Sequence, residues 1–106
     1  MTTISNATQL VTLINVFTVA PANQRRLVEL LSQVTEAVVR HAPGFVSSSL
    51  HRSVDGTKVT MYSQWRTFED YDAMRRDPAP SPWFEQVLAI STFDPGRYEV
   101  VATWLP

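Results

Sequence analysis

Asn15 stands alone as a polar side chain on an apolar strand face. In the run 10–19 (LVTLINVFTV) it shares that face with Val11, Leu13, Phe17 and Val19. A buried amide needs hydrogen-bond partners. Two uses are open to it: a bond to the backbone or water, or an aim into a ligand cavity. A second run, 58–65, puts Met61, Ser63 and Trp65 on one face. Trp65 reads either as a core aromatic or as a pocket wall that offers one N–H donor. Ser49 and His51 share a face two residues apart, a spacing of about 7 Å. That spacing predicts no direct hydrogen bond and no hydrolytic dyad. His41 ends the first helical pattern and is expected to cap it. His51 is expected at a solvent-facing or interface position. Arg75-Arg76 reads as a solvated helix end, with a lip for an anionic substrate as the alternative.

Other chemistries are excluded by composition. No G-x-S-x-G, P-loop, G-x-G-x-x-G or H-E-x-x-H motif occurs. With 3 Gly the chain has no glycine-rich phosphate cradle. With 0 Cys and 2 His, thiolate and iron–sulfur sites are ruled out and the commoner histidine metal sites are not expected. Nine Lys+Arg against ten Asp+Glu give a net charge of -1 without clustering, so no basic face awaits nucleic acid. No apolar run approaches the roughly 20 residues that span a bilayer. Residues 1–9 are polar, do not read as a secretory signal and are expected to be flexible. The expectation is a cytoplasmic domain over residues 10–106, with no metal, no bound cofactor, no nucleic acid and no membrane partner.

The elements that would position these residues can be read in order. The run 10–19 is rich in β-branched residues and predicts a strand covered on both faces. Pro21 opens a helix to about His41, with Leu27, Leu30, Leu31, Val34, Ala37 and Val38 on one side. Pro43-Gly44 stops it. Strands over 45–54 and 58–65 flank the Asp55-Gly56 turn as a hairpin. Thr67 and Asp70 form a capping-box pattern before a second helix, which Asp77-Pro78 halts. A short helix over 83–90 follows. Pro95-Gly96 is expected to turn the chain into a last strand over 97–105. In 106 residues this is one α+β domain of ferredoxin-like βαββαβ order. Its first and third strands are neighbours. Asn15 and Trp65 would then face one pocket roofed by Tyr71 and Met74. The other sheet face is apolar enough to predict a second subunit upon it.

These residues carry a family resemblance over nearly the whole chain. Leu13-Ile14-Asn15-Val16-Phe17-Thr18-Val19, Arg26-Leu27-Val28-Glu29-Leu30, Pro43-Gly44-Phe45, Asp55-Gly56-Thr57 and Tyr62-Ser63-Gln64-Trp65 together resemble the antibiotic biosynthesis monooxygenase family. The likeness is strongest to its small quinone-forming oxygenases of aromatic polyketide pathways. The resemblance implies a homodimeric α+β barrel that uses O2 without metal or flavin. It implies catalytic roles for Asn15, Trp65 and Tyr71. Phe17, Leu31, Met61, Ser63 and Met74 are the expected substrate-contacting residues. One position departs from the pattern: Met61 replaces a second asparagine, and a thioether donates no hydrogen bond. Haem-degrading relatives add a helical histidine whose place here falls near Arg75, so haem ligation is not expected.

The leading expectation is a cofactor-independent monooxygenase that oxidises a phenolic or anthrone-type aromatic polyketide to a quinone. A polyketide cyclase or isomerase on the same barrel is the alternative, as is a non-catalytic ligand-binding accessory subunit.

Overall fold

β-Branched residues dominate Val11–Val19, and the segment is a strand, β1, at the middle of one antiparallel sheet. The structure is a computed structural model that describes residues 10–106. The expected flexible segment, 1–9, lies outside the described residues. The remaining strands are Phe45–Arg52 (β2), Lys58–Trp65 (β3), Ser91–Asp94 (β4) and Arg97–Glu99 (β5). The helices are Gln24–Ala37 (α1), Phe68–Arg76 (α2) and Ser81–Ile90 (α3). Strand order is β2-β3-β1-β4, with β5 also paired to β1. This is the ferredoxin-like α+β layout, with α3 added before the final strands.

Each helix begins and ends for a local reason. Pro21–Asn23 forms a 3-10 turn ahead of α1, and Val39–His41 forms another after it. The regular helix is therefore shorter than the 21–41 span expected, because both ends tighten into 3-10 turns. α1 buries Leu27, Leu30, Leu31 and Val34 against the sheet. The His41 Nε2–H donates to the Glu36 carbonyl at 3.1 Å, which satisfies a helix-end acceptor. The Asp70 N–H donates to Thr67 Oγ1 at 3.0 Å and opens α2. Gly44 has φ 86°, and a Cβ there would collide with the Asp70 side chain. Only glycine fits that close approach.

The hairpin is pinned by Asp55. Its carboxylate accepts from the Ser53 hydroxyl at 2.8 Å and from the Thr57 N–H and hydroxyl at 3.0 and 2.7 Å. These bonds, the Thr57 hydroxyl first, hold its pKa down at about 2. β2 stops at Arg52, before the expected Val54.

The C-terminal part of the chain corrects the sequence reading. Pro95-Gly96 does not turn the chain. Val19 pairs with Ser91 and Val16 with Asp94, while Leu13 pairs with Arg97 and Val11 with Glu99. The register is continuous, so β4 and β5 are one strand line interrupted at the position opposite Asn15. Proline has no N–H for the ladder and is tolerated at such an edge. The strand also ends at Glu99 rather than Leu105. β1 begins at Val11, opposite Glu99, which leaves the following residues no ladder partner. Val101, Trp104 and Leu105 are 90%, 86% and 93% exposed.

Asn15 divides the core. Phe17, Val19, Leu27, Leu30, Leu31, Val59 and Val87 form one cluster. Leu13, Trp65, Tyr71 and Met74 form the other. Along β1 the two meet between Leu13 and Phe17, where the amide sits.

Candidate active site

The period of two in β1 turns Asn15 toward the helices, where it is 6% exposed. Its Oδ1 accepts the Gly96 N–H at 3.4 Å, and its Nδ2 donates to the Tyr71 hydroxyl at 3.1 Å. An N–H can only donate, so the Gly96 contact fixes the orientation of the amide. One of the two Nδ2 protons is left for the cavity.

Tyr71 comes from α2 and lies over the same point. Its hydroxyl also accepts from Arg75 Nη1 at 3.0 Å. Both acceptor sites of the phenol are then filled by N–H groups. Its own proton cannot return to either donor, and Tyr71 borders the cavity.

Trp65 is fully buried and packs edge-on against Phe45 and Tyr71, at centroid distances of 5.4 and 5.6 Å. Its Nε1–H donates to Ser63 Oγ at 3.3 Å. The indole N–H, which the sequence offered as a donor in a pocket wall, is thus turned to Ser63 in this structure. Ser48 donates to the Met61 sulfur at 2.7 Å, so the thioether acts as an acceptor where the family pattern has an amide.

The cavity between sheet and helices is walled by Leu31 and Val34 of α1, Met74 and Arg75 of α2, and Phe84 and Val87 of α3. Phe17 and Phe93 stack at 4.9 Å on its sheet side. The recess has a cavity volume of about 60 Å³ and opens through a mouth to solvent. Asn15, Trp65, Tyr71, Phe17, Leu31, Met61, Ser63 and Met74 all border it. Its lining is mostly apolar with a few aimed polar groups, as small-molecule sites are.

Three side chains depart from their expected arrangement. Arg75 is half-buried in the cavity wall, with its guanidinium 5.0 Å from the Phe84 centroid and 5.1 Å from that of Phe93. Only Arg76 is the solvated helix end. The available signal was the four-residue spacing from Tyr71, which puts both on one helix face. Ser49 Oγ and His51 Nε2 do meet, at 2.9 Å, against the expectation of separation. Strand side chains lean along the strand and close a gap that the backbone repeat leaves open. The pair is exposed on the sheet face away from the cavity, because the alternate residues Ser48 and Leu50 take the inner positions. Among the described residues no carboxylate joins it, so it is not a triad.

α2 is braced from outside. Arg97 of β5 forms an ion pair with Asp72 at 2.6 Å and lies over Phe68 at 5.2 Å. The bond from Arg97 holds the Asp72 carboxyl below its ordinary range. Among the described residues no three His, Cys, Asp or Glu side chains converge as metal ligands.

A ferredoxin-like sheet that encloses an aromatic-walled cavity with aimed N–H and O–H donors defines a small-molecule enzyme domain. Residues 10–86 match the antibiotic biosynthesis monooxygenase family. The chain is 48% identical over 100 residues to tetracenomycin-F1 monooxygenase of Streptomyces glaucescens, covering 94% of this chain and 89% of that protein. It resembles the ActVA-Orf6 monooxygenase of Streptomyces coelicolor, solved with nanaomycin D, with a TM-score of 0.79 and 28% identity over 95% of each chain. SnoaB of Streptomyces nogalater, a cofactor-independent oxygenase, shares the fold, with a TM-score of 0.73 and 24% identity over 90% of this chain and 96% of that one. The chain belongs to the antibiotic biosynthesis monooxygenase family and is a monooxygenase.

Proposed function

We propose that this protein oxidises a phenolic or anthrone-type polycyclic aromatic to a quinone with O2, without metal, flavin or haem. The observation that carries the proposal is the meeting of Asn15 and Tyr71 at 3.1 Å, where both border an aromatic-walled cavity. The activity carried by the name of the S. glaucescens relative supports it, as does the nanaomycin D bound in the S. coelicolor structure.

The substrate loses a proton to water to give an electron-rich carbanion or enolate. That anion passes one electron to O2, and the resulting radical and superoxide join through a new C–O bond. Protonation gives a hydroperoxide. Loss of water breaks the O–O bond and a C–H bond and leaves the carbonyl. One oxygen atom enters the product and the other leaves as water. Asn15 holds the carbonyl or enolate oxygen, and Tyr71 supplies a donor to the oxygen that accumulates charge. Such pre-aimed donors act most strongly in a site that excludes water. Ser63, set by the Trp65 N–H, is a third donor.

Oxygen uptake with quinone absorbance, on an anthrone and with no added cofactor, tests the reading. One O2 consumed per quinone is expected. Ring closure or isomerisation without oxygen uptake would favour the cyclase instead, and binding without turnover the accessory subunit.

The protein is further proposed to act as a homodimer in the cytoplasm. Half-exposed Ile14, Val16 and Tyr62 on the outer sheet face, and the exposed Val101, Trp104 and Leu105, support an apolar contact with a second copy. No described helix is long and apolar enough to cross a membrane.

A further inference from the structure

Arg75 is a half-buried cation in an apolar wall, and among the described residues no carboxylate forms an ion pair with it. The acid one turn away on the outer side, Asp72, is held by Arg97 at 2.6 Å. The ion pairs among the described residues involve Arg26, Arg40 and Arg97, not Arg75. Residues 1–9 contain no Asp or Glu. A guanidinium has five N–H donors, and one is engaged, with the Tyr71 hydroxyl. The faces of Phe84 and Phe93 hold the group in place at 5.0 and 5.1 Å. Removing a cation from water without a counter-ion is unfavourable, and an anion that enters the cavity relieves that cost.

We propose that Arg75 recognises a negatively charged oxygen, carboxylate or ionised phenol, on the edge of the aromatic substrate. The inference rests on the cavity being the oxygenase site and names the substrate class more narrowly: polycyclic aromatics that carry an anionic oxygen. It also bears on how the substrate loses its proton. A guanidinium beside a phenol favours its ionised form, and an anionic ring system is what reduces O2. Because Arg75 and Asn15 both donate to Tyr71, the anionic edge would lie on the side of the ring system nearest α2 and α3.

The test is binding, without turnover. Dissociation constants are measured by calorimetry for 2-naphthoate and its methyl ester, and for the acidic 2,4-dinitro-1-naphthol and its methyl ether. The parent protein should bind at least one anion roughly tenfold or more tighter than its neutral partner. Preference for naphthoate assigns a carboxylate, and preference for the naphtholate assigns an ionised phenol. Arg75→Gln should erase the preference while the neutral probes keep their affinity, which a merely structural role would not produce. Arg75→Lys, which keeps the charge, should restore part of it. Equal binding of anion and neutral partner by the parent overturns the proposal, as does a preference that survives in Arg75→Gln. If the neutral probes bind and the preference is absent, the oxygenase reading stands and the role of Arg75 falls. If no aromatic binds, both fall.

Discussion

Asn15 and Tyr71 are 56 residues apart and are joined by one hydrogen bond of 3.1 Å. The bond crosses from the central strand to α2 at the point where the two core clusters meet. Its strength depends on both layers being in place. Gly96 holds the far side of the amide and Arg75 the far side of the phenol. The protons left over are therefore set by four residues from three parts of the chain.

Asn15→Ala and Tyr71→Phe are each expected to lower kcat about a hundredfold, on the order of 3 kcal/mol, on an anthrone substrate. Tyr71→Phe keeps the ring that packs on Trp65, so its melting temperature should fall little, by the loss of about 1 kcal/mol of hydrogen bonding. Oxygen uptake beside thermal melts checks both variants. Parent-like rates in folded protein would remove these residues from the mechanism.

Trp65→Phe should separate differently. Trp65 is fully buried and fills the junction of Phe45 and Tyr71. The smaller ring leaves a cavity, and a loss of roughly 1–3 kcal/mol of stability is expected along with lower turnover. Ser63→Ala removes the partner of the indole N–H without that void. Denaturant titrations should show Ser63→Ala to be the milder change in stability.

Gly96→Ala tests the clamp on Asn15. A Cβ at this position meets the Tyr98 ring and comes within 3.0 Å of the Ile14 carbonyl. The strand line must shift, and the N–H that orients the amide shifts with it. Turnover should fall with stability, and an Asn15→Ala, Gly96→Ala double variant should lose less than the product of the single losses.

Asp55 gives the hairpin a pH dependence with a defined sign. Its folded pKa, about 2, lies below the ordinary value of 3.8. Its contribution is therefore present above the ordinary value and is lost as pH falls through about 2. The melting temperature of Asp55→Asn should drop less between pH 4 and pH 2 than that of the parent, as thermal melts across that range would show.

Much of this site was legible because strand period and helix period are simple. Alternation in β1 and β3 places Asn15 and Trp65 on the helix side, and the antiparallel pairing of these two strands sets Asn15 opposite Met61 and Trp65 opposite Val11. Tyr71 follows from its place in the helix after Thr67. What escaped depends on tertiary geometry. The rotation of α2 brings Arg75 inward, and the phenylalanines that hold it come from α3 and β4. Pro95-Gly96 resembles a turn locally, yet the edge of β1 keeps the chain straight across it. Ser49 and His51 meet because of side-chain lean, which a backbone spacing does not contain.

Labelled oxygen tests the central claim most directly. The purified protein, stripped by a chelator and supplied with no flavin, is given an anthrone under 18O2. The account predicts one 18O atom in each quinone formed and a rate unchanged when metal or flavin is added back. A product without the label, or turnover that appears only on adding metal or flavin, would contradict it.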